Sequence, residues 1–149
     1  MSAVEAAGAD AAPTLAALHE TAFDEPWSAA DIAALLHSPG VFAFRAGLDG
    51  ETAGFILCRL AADEAEVLTL AVAPAMRRRG VAGALLDQAM AAALAGGARA
   101  MFLEVATDNP GAEALYRGRG FGEVGRRPGY FSRAGGAVAA LIMRLDLNR

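Results

Sequence analysis

The feature that most constrains the fold is a change of hydrophobic period about halfway along the chain. Strand-like apolar runs stop at Val72 and give way to a turn rich in arginine and glycine. From Val81 the apolar residues recur at helical spacing (Val81, Leu85, Met90, Leu94), and the stretch ends at Gly96-Gly97, a pair suited to close a helix. Another apolar run follows from Arg99 to Ala106. Strand, helix and strand in that order predict a βαβ unit with a right-handed crossover and two parallel strands. Ligands of such units tend to sit beyond the carboxyl ends of the parallel strands, which fall here at Val72 and Ala106.

The remaining segments supply antiparallel neighbours. After a weak strand near Val4, Pro13 to Thr21 and Ala29 to His37 read as helices, the second opened by Ser28 with Asp31 three residues on and stopped by Pro39-Gly40. Val41 to Gly47 and Glu51 to Leu60 are apolar runs joined around Leu48-Asp49-Gly50, a hairpin turn signal, and Ala65 to Val72 follows the turn at Ala62-Asp63-Glu64. Asn109-Pro110 starts a short helix that closes at Gly120, and Phe121 to Val124 and Ala137 to Leu145 read as two last strands around a loop from Gly125 to Gly136. The expected fold is α/β with a mixed sheet: antiparallel N-terminal strands, a central βαβ unit and a C-terminal hairpin. No repeat, linker or low-complexity segment interrupts the 149 residues, so a single domain over 1–149 is the expectation.

Composition narrows the function classes. A net charge of −4 argues against general adhesion to nucleic acid or anionic membrane, so an anion site must be local. Hydrophobic residues make up 55% of the chain, but the longest apolar stretch, Val81 to Ala95, is interrupted by Asp87 and Gln88 and falls short of a membrane span. The N-terminus lacks the basic region of a secretory signal, which makes the cytoplasm the expected compartment. Cys58 is the single cysteine, and His19 and His37 are far apart, so no zinc site is expected.

Between strand and helix lies Ala73-Pro74-Ala75-Met76-Arg77-Arg78-Arg79-Gly80-Val81-Ala82-Gly83. Three arginines at a helix N-terminus stand at the wrong end of the macrodipole, and a bound anion resolves the conflict. Free N–H groups of the first turn point outward, and Gly80 and Gly83 let a ligand approach the backbone. A diphosphate fits. A solvated basic run with a glycine turn is the alternative, and the sequence is neither a Walker loop nor a complete dinucleotide G-x-G-x-x-G.

Arg77-Arg78-Arg79-Gly80-Val81-Ala82 resembles the [QR]-x-x-G-x-[GA] motif of the GNAT N-acetyltransferases. Leu103-Glu104-Val105, Asn109, Ala114-Leu115-Tyr116 and Gly120-Phe121 are similar to the signature of the bacterial ribosomal-protein-alanine N-acetyltransferases within that superfamily. The similarity extends back to Pro26-Trp27-Ser28 and on to Arg127-Pro128-Gly129-Tyr130-Phe131 and Leu141-Ile142-Met143. The resemblance implies that backbone amides of Arg77, Arg78, Arg79, Gly80, Val81, Ala82 and Gly83 hold the pyrophosphate of acetyl-CoA. It implies further that Leu70-Ala71-Val72 bond its pantetheine arm, that Asn109 touches the cofactor, and that Glu104 is the general base and Tyr116 the general acid. The implied partner is a protein N-terminus, an alanine of a ribosomal protein. One departure stands out: many family members carry an Asp near the start of the last strand, where this chain reads Gly136-Ala137-Val138-Ala139-Ala140.

The chemistry agrees with those roles. An amine attacks a thioester only as the free base, and an α-amine, with a pKa of about 7.7 to 8.0, needs modest help. Glu104 shares its strand face with Phe102 and Ala106, an apolar setting suited to a base that works near neutrality, directly or through a water. A phenol is a suitable donor to the departing thiolate, and a strand N–H near Val72 can serve the oxyanion. Each residue also has a structural explanation: Glu104 as a solvent-facing carboxylate, Asn109 as a helix cap, Tyr116 as a packed aromatic with its hydroxyl tied off. Cys58 reads as core, and Trp27, Tyr130 and Phe131 as packing or a peptide groove. A GNAT enzyme acting on a small amine or a lysine, or a silent acetyl-CoA-binding module, are the competing functions.

Overall fold

In the computed structural model, which describes residues 3–147, seven strands form one sheet in the order β1-β2-β3-β4-β5-β7-β6. The elements are β1 (Ala3–Ala6), α1 (Ala12–Ala22), α2 (Ala29–Leu36), β2 (Val41–Leu48), β3 (Glu51–Ala61) and β4 (Glu64–Val72). They continue with α3 (Val81–Ala95), β5 (Ala100–Ala106), α4 (Pro110–Gly118), β6 (Gly122–Phe131) and β7 (Val138–Asp146). Local chemistry sets the boundaries. The Ser28 side chain accepts from the Asp31 N–H while the Asp31 carboxylate accepts from the Ser28 N–H, the expected capping box of α2. Asp49 and Gly50 both take positive φ, 55° and 81°, the pair of angles that a two-residue hairpin of native twist requires.

The βαβ unit forms as expected, but its two parallel strands pair only briefly. β4 and β5 are matched from Glu64–Ala100 to Glu66–Phe102, and beyond that point no ladder joins them. A bulge assists the parting: register with β3 steps from Thr69–Leu57 to Val67–Cys58, leaving Leu68 opposite no β3 residue. The result is a gap between the carboxyl-terminal halves of β4 and β5.

Each face of the sheet has its own core. α3 buries Val81, Leu85, Leu86, Ala89 and Ala93 on one face, in a cluster with Met101, Leu103, Val105, Tyr116 and Phe121. Full burial of a Leu or Phe side chain contributes about 1.5–3 kcal/mol, so this face supplies much of the stability. On the opposite face, Leu15, Leu18 and Ile32 of α1 and α2 pack with Phe55, Leu57 and Ala71, a cluster that reaches no further than β4. Alternation along β5 therefore sends Leu103 and Val105 into the α3 core and Phe102, Glu104 and Ala106 to a face that α1 and α2 leave open.

The C-terminal hairpin departs from expectation in one respect. The segment from Gly125, expected as loop to Gly136, remains strand as far as Phe131, because Gly125, Arg126 and Arg127 pair with Ile142, Leu141 and Ala140. β6 is an exposed edge strand, so it shows no apolar alternation and tolerates Pro128. Between Arg127–Ala140 and Phe131–Val138, residues 128–130 bulge opposite Ala139, with Gly129 at φ 59°. No helix among the described residues is long and apolar enough to cross a membrane.

Candidate active site

The turn after β4 builds its concavity from backbone. Arg78 and Gly80 both take left-handed angles, φ 63° and 80°, on either side of Arg79. Gly80 is the N-cap of α3, no side chain caps the helix, and nothing lies within 4 Å of the position a Cβ would occupy. The first-turn N–H groups of Val81, Ala82 and Gly83 thus lack both an intrahelical partner and a side-chain cap, the arrangement an anion completes. The three arginines are not equivalent. Arg79 is drawn away to Asp49 in the β2–β3 turn at 3.2 Å, whereas Arg77 and Arg78 form no ion pair among the described residues. Against Gly83, in the space where a Cβ would stand, Arg119 lays its guanidinium.

Next to the turn, Leu70, Ala71 and Val72 pair with Ile56, Phe55 and Gly54 of β3, so their other edge faces the gap. Tyr116 reaches the region from α4 on the α3 side of the sheet. Its ring packs on Phe121 at 5.9 Å and is 7% exposed. Among the described residues no buried side-chain nitrogen or oxygen, the Tyr116 hydroxyl included, is left both sealed and without a partner. Burial first, and the neighbouring Cys58 thiol second, push the phenol up to about 12. Cys58 itself is core, fully buried and raised to about 12 by burial. Asn109 is the N-cap of α4, its Oδ1 accepting from the Ala112 N–H at 3.2 Å.

Glu104 stands on the other face of the sheet. Phe102 and Ala106 flank it, as expected, but the setting is not purely apolar: Arg127 from β6 places its Nε on the Glu104 carboxylate. Tyr130, half exposed in the β6 bulge, lies against the same carboxylate, whose negative charge is the main cause of the rise in the Tyr130 pKa. The Arg127 guanidinium sits 5.4 Å from the Tyr130 ring centre. Glu104 and Tyr116 therefore lie on opposite faces of the sheet.

Two features of the site escaped the sequence. Arg127 had no assigned role, because nothing in the chain announced that β7 would separate β6 from β5 at the distance of one strand. His19, set aside as an isolated histidine, is buried: its Nδ1 accepts from the Trp27 N–H at 3.1 Å and its Nε2 meets Thr69 Oγ1 at 3.1 Å. That contact fastens the segment between α1 and α2 to β4, one residue before Leu70. Trp27 and Phe23 stack on either side of the imidazole, at 5.1 and 4.2 Å.

A sheet parted between β4 and β5, beside an uncapped glycine-led helix, offers backbone donors to an anionic ligand, and comparison with known proteins says of what class. Residues 12–121 match the acetyltransferase (GNAT) family. The chain is 32% identical over 105 residues to the [ribosomal protein bS18]-alanine N-acetyltransferase of Escherichia coli, covering 70% of this chain and 71% of that protein. The crystal structure of the E. coli ribosomal-protein-S18-alanine N-acetyltransferase superposes with a TM-score of 0.93 over 100% of this chain and 96% of that one, at 28% identity. The N-alpha-acetyltransferase RimI of Mycobacterium tuberculosis is 38% identical over 125 residues, covering 81% of this chain and 77% of that protein. An uncharacterised Mycobacterium leprae protein is 49% identical over 81 residues, 54% of this chain but 21% of that protein's length. The chain belongs to the GNAT family of acetyltransferases. Within it, the chain is an acetyl-CoA-dependent N-acetyltransferase of the RimI type.

Proposed function

We propose that the chain transfers the acetyl group of acetyl-CoA to the N-terminal α-amine of a protein, an N-terminal alanine of a ribosomal protein, in the cytoplasm. The acceptor rests on the relatives, whose printed names specify ribosomal-protein alanine or an α-amine. The observation that carries the chemistry is the gap beyond Glu66–Phe102, with a carboxylate on one face of the sheet and a buried phenol on the other. In this reading the amides of residues 77–83 hold the pyrophosphate, the free edge of Leu70-Ala71-Val72 lines the pantetheine arm, and Asn109 borders the cofactor. Glu104 takes the proton of the attacking α-amine, directly or through one water, as the amine nitrogen bonds to the acetyl carbon. The C–S bond then breaks, and Tyr116 protonates the departing sulfur.

Burial gives Tyr116 a weaker acid than the expected phenol of pKa about 10. The same burial raises the basicity of a thiolate formed in the gap, so donor and acceptor move together. A phenol held near 12 also stays protonated throughout the range in which an α-amine is free base.

The test incubates the protein and acetyl-CoA with a ribosomal-protein N-terminal peptide beginning with alanine, the same peptide blocked at its N-terminus, and a polyamine. Thiol release with the free peptide alone is the expected result. Release with the polyamine or the blocked, lysine-bearing peptide instead assigns a different acceptor.

A further inference from the structure

We infer that Arg119 is a cofactor-binding residue, a phosphate ligand delivered to the acetyl-CoA site from the far end of α4 through the space that Gly83 leaves. The inference rests on the reading of residues 77–83 as the acetyl-CoA phosphate site and extends it to a residue outside that turn.

Arg119 follows the last turn of α4 and crosses to α3, where its Nε donates to Asp87 Oδ1 at 3.1 Å and its Nη2 to Asp87 Oδ2 at 3.3 Å. Gly83 and Asp87 are four residues apart and share one face of α3, so a guanidinium held by Asp87 lies along that face toward the helix N-terminus. The distances from the position of a Gly83 Cβ are 2.4 Å to Nη2, 3.1 Å to Cζ and 3.4 Å to Nη1. Any side chain at residue 83 would displace the guanidinium. The carboxylate takes one hydrogen from each of Nε and Nη2, which leaves both hydrogens of Nη1 and the second of Nη2 for another acceptor.

Those donors lie against the first turn of α3, beside the N–H groups of residues 81–83. This matters because the turn's own cations are fewer than its sequence suggests: Arg79 is committed to Asp49. Acetyl-CoA carries a pyrophosphate and a 3′-phosphate, and a planar guanidinium is suited to either. A purely structural role, a strut between α3 and α4, is the competing explanation for the Arg119–Asp87 pair.

The two roles separate in a titration of CoA into the wild-type protein, Arg119→Gln, Arg119→Lys and Asp87→Asn, repeated with 3′-dephospho-CoA and accompanied by thermal melts. A phosphate ligand predicts Arg119→Gln to weaken CoA binding about tenfold, with Arg119→Lys in between. Asp87→Asn keeps the cation and loses only its anchor, so it weakens CoA binding less than Arg119→Gln does. A strut predicts equal effects for both, with matching losses in melting temperature. Loss of the Arg119 effect with 3′-dephospho-CoA assigns the 3′-phosphate, and its persistence assigns the pyrophosphate. Equal weakening in Arg119→Gln and Asp87→Asn, or wild-type affinity in Arg119→Gln, overturns the inference while leaving the turn's role intact. Failure of the wild-type protein to bind CoA overturns both.

Discussion

The two sides of the β4–β5 gap are built from different materials. On the side where we propose that acetyl-CoA binds, the groups offered are backbone: N–H groups of an uncapped helix, a turn with left-handed Arg78 and Gly80, and the unpaired edge of Leu70-Ala71-Val72. On the side where we propose that the acceptor enters, they are side chains from separate strands, Glu104 of β5 with Arg127 and Tyr130 of β6. A backbone site is fixed once strand, turn and helix are in place, because each amide has its direction set by φ and ψ. A side-chain site also needs the right strands to become neighbours. The first kind of site serves a cofactor common to a family, and the second can vary with the acceptor while the frame stays constant.

The sharpest break of this contrast is a substitution that destroys chemistry without touching cofactor binding. Glu104→Gln and Tyr116→Phe are each expected to lower kcat by about 10²–10⁴-fold, the range that positioned acids and bases contribute. CoA affinity, measured by titration, should remain at the wild-type value. Unchanged turnover in both variants would remove Glu104 and Tyr116 from the mechanism, and a matching loss of CoA affinity would place them in the cofactor site.

A smaller effect is expected on the backbone side. Gly80→Ala forces a Cβ into φ 80°, at a cost of about 1–2 kcal/mol, and the helix start should shift to relieve it. CoA binding should then weaken about tenfold while kcat at saturating cofactor changes little. Gly50→Ala, with φ 81° in the β2–β3 turn, carries similar strain away from the gap. It should lower the melting temperature and leave the Kd for CoA alone. Equal Kd changes in the two variants would show that general loosening, and not the turn before α3, is responsible.

Smaller still is the expected effect of Arg127. Its pair with Glu104 is largely exposed, 56% on the arginine side, and exposed pairs are worth about 0.2–1 kcal/mol. A cationic acceptor approaching Glu104 meets the Arg127 charge, so Arg127→Gln should lower the acceptor KM about two- to fivefold. The difference should fade at high salt, and the KM for acetyl-CoA should not move. A change confined to the acetyl-CoA KM would put Arg127 on the wrong side of the gap.

The same contrast explains what could be read from the chain. The βαβ unit was legible because Val81, Leu85, Met90 and Leu94 mark a helix between two strand runs, and the anion site followed from glycine and arginine at that junction. Glu104 and Tyr116 could be nominated through family resemblance, but their arrival from opposite faces could not, since it depends on β4 and β5 parting after Glu66. The β6 strand was read short because an exposed edge with Pro128 and three glycines carries no apolar alternation. The fate of the three arginines was equally hidden: Arg79 leaves for an aspartate 30 residues earlier, and Arg119 enters from 36 residues later than Gly83.

His19 fastens the segment between α1 and α2 to β4, and its titration offers the smallest and most specific test. The imidazole accepts the Trp27 N–H at Nδ1, so the ring must be neutral with its proton on Nε2, directed at Thr69 Oγ1. Burial lowers its pKa from the usual 6.5 to about 4. The unfolded chain therefore binds a proton at His19 between pH 6.5 and pH 4 that the folded chain refuses. Stability from this group is fully present above pH 6.5 and is lost as the pH falls toward 4. The wild-type melting temperature should accordingly fall more steeply over that window than that of His19→Gln, in which carboxylate contributions are retained and cancel in the difference. The variant should also loosen the segment between α1 and α2 and so raise the acceptor KM more than the acetyl-CoA KM. Parallel pH profiles of melting temperature for the two proteins would mean that His19 titrates alike in the folded and unfolded chains, and the Trp27 bond would then have to be given up.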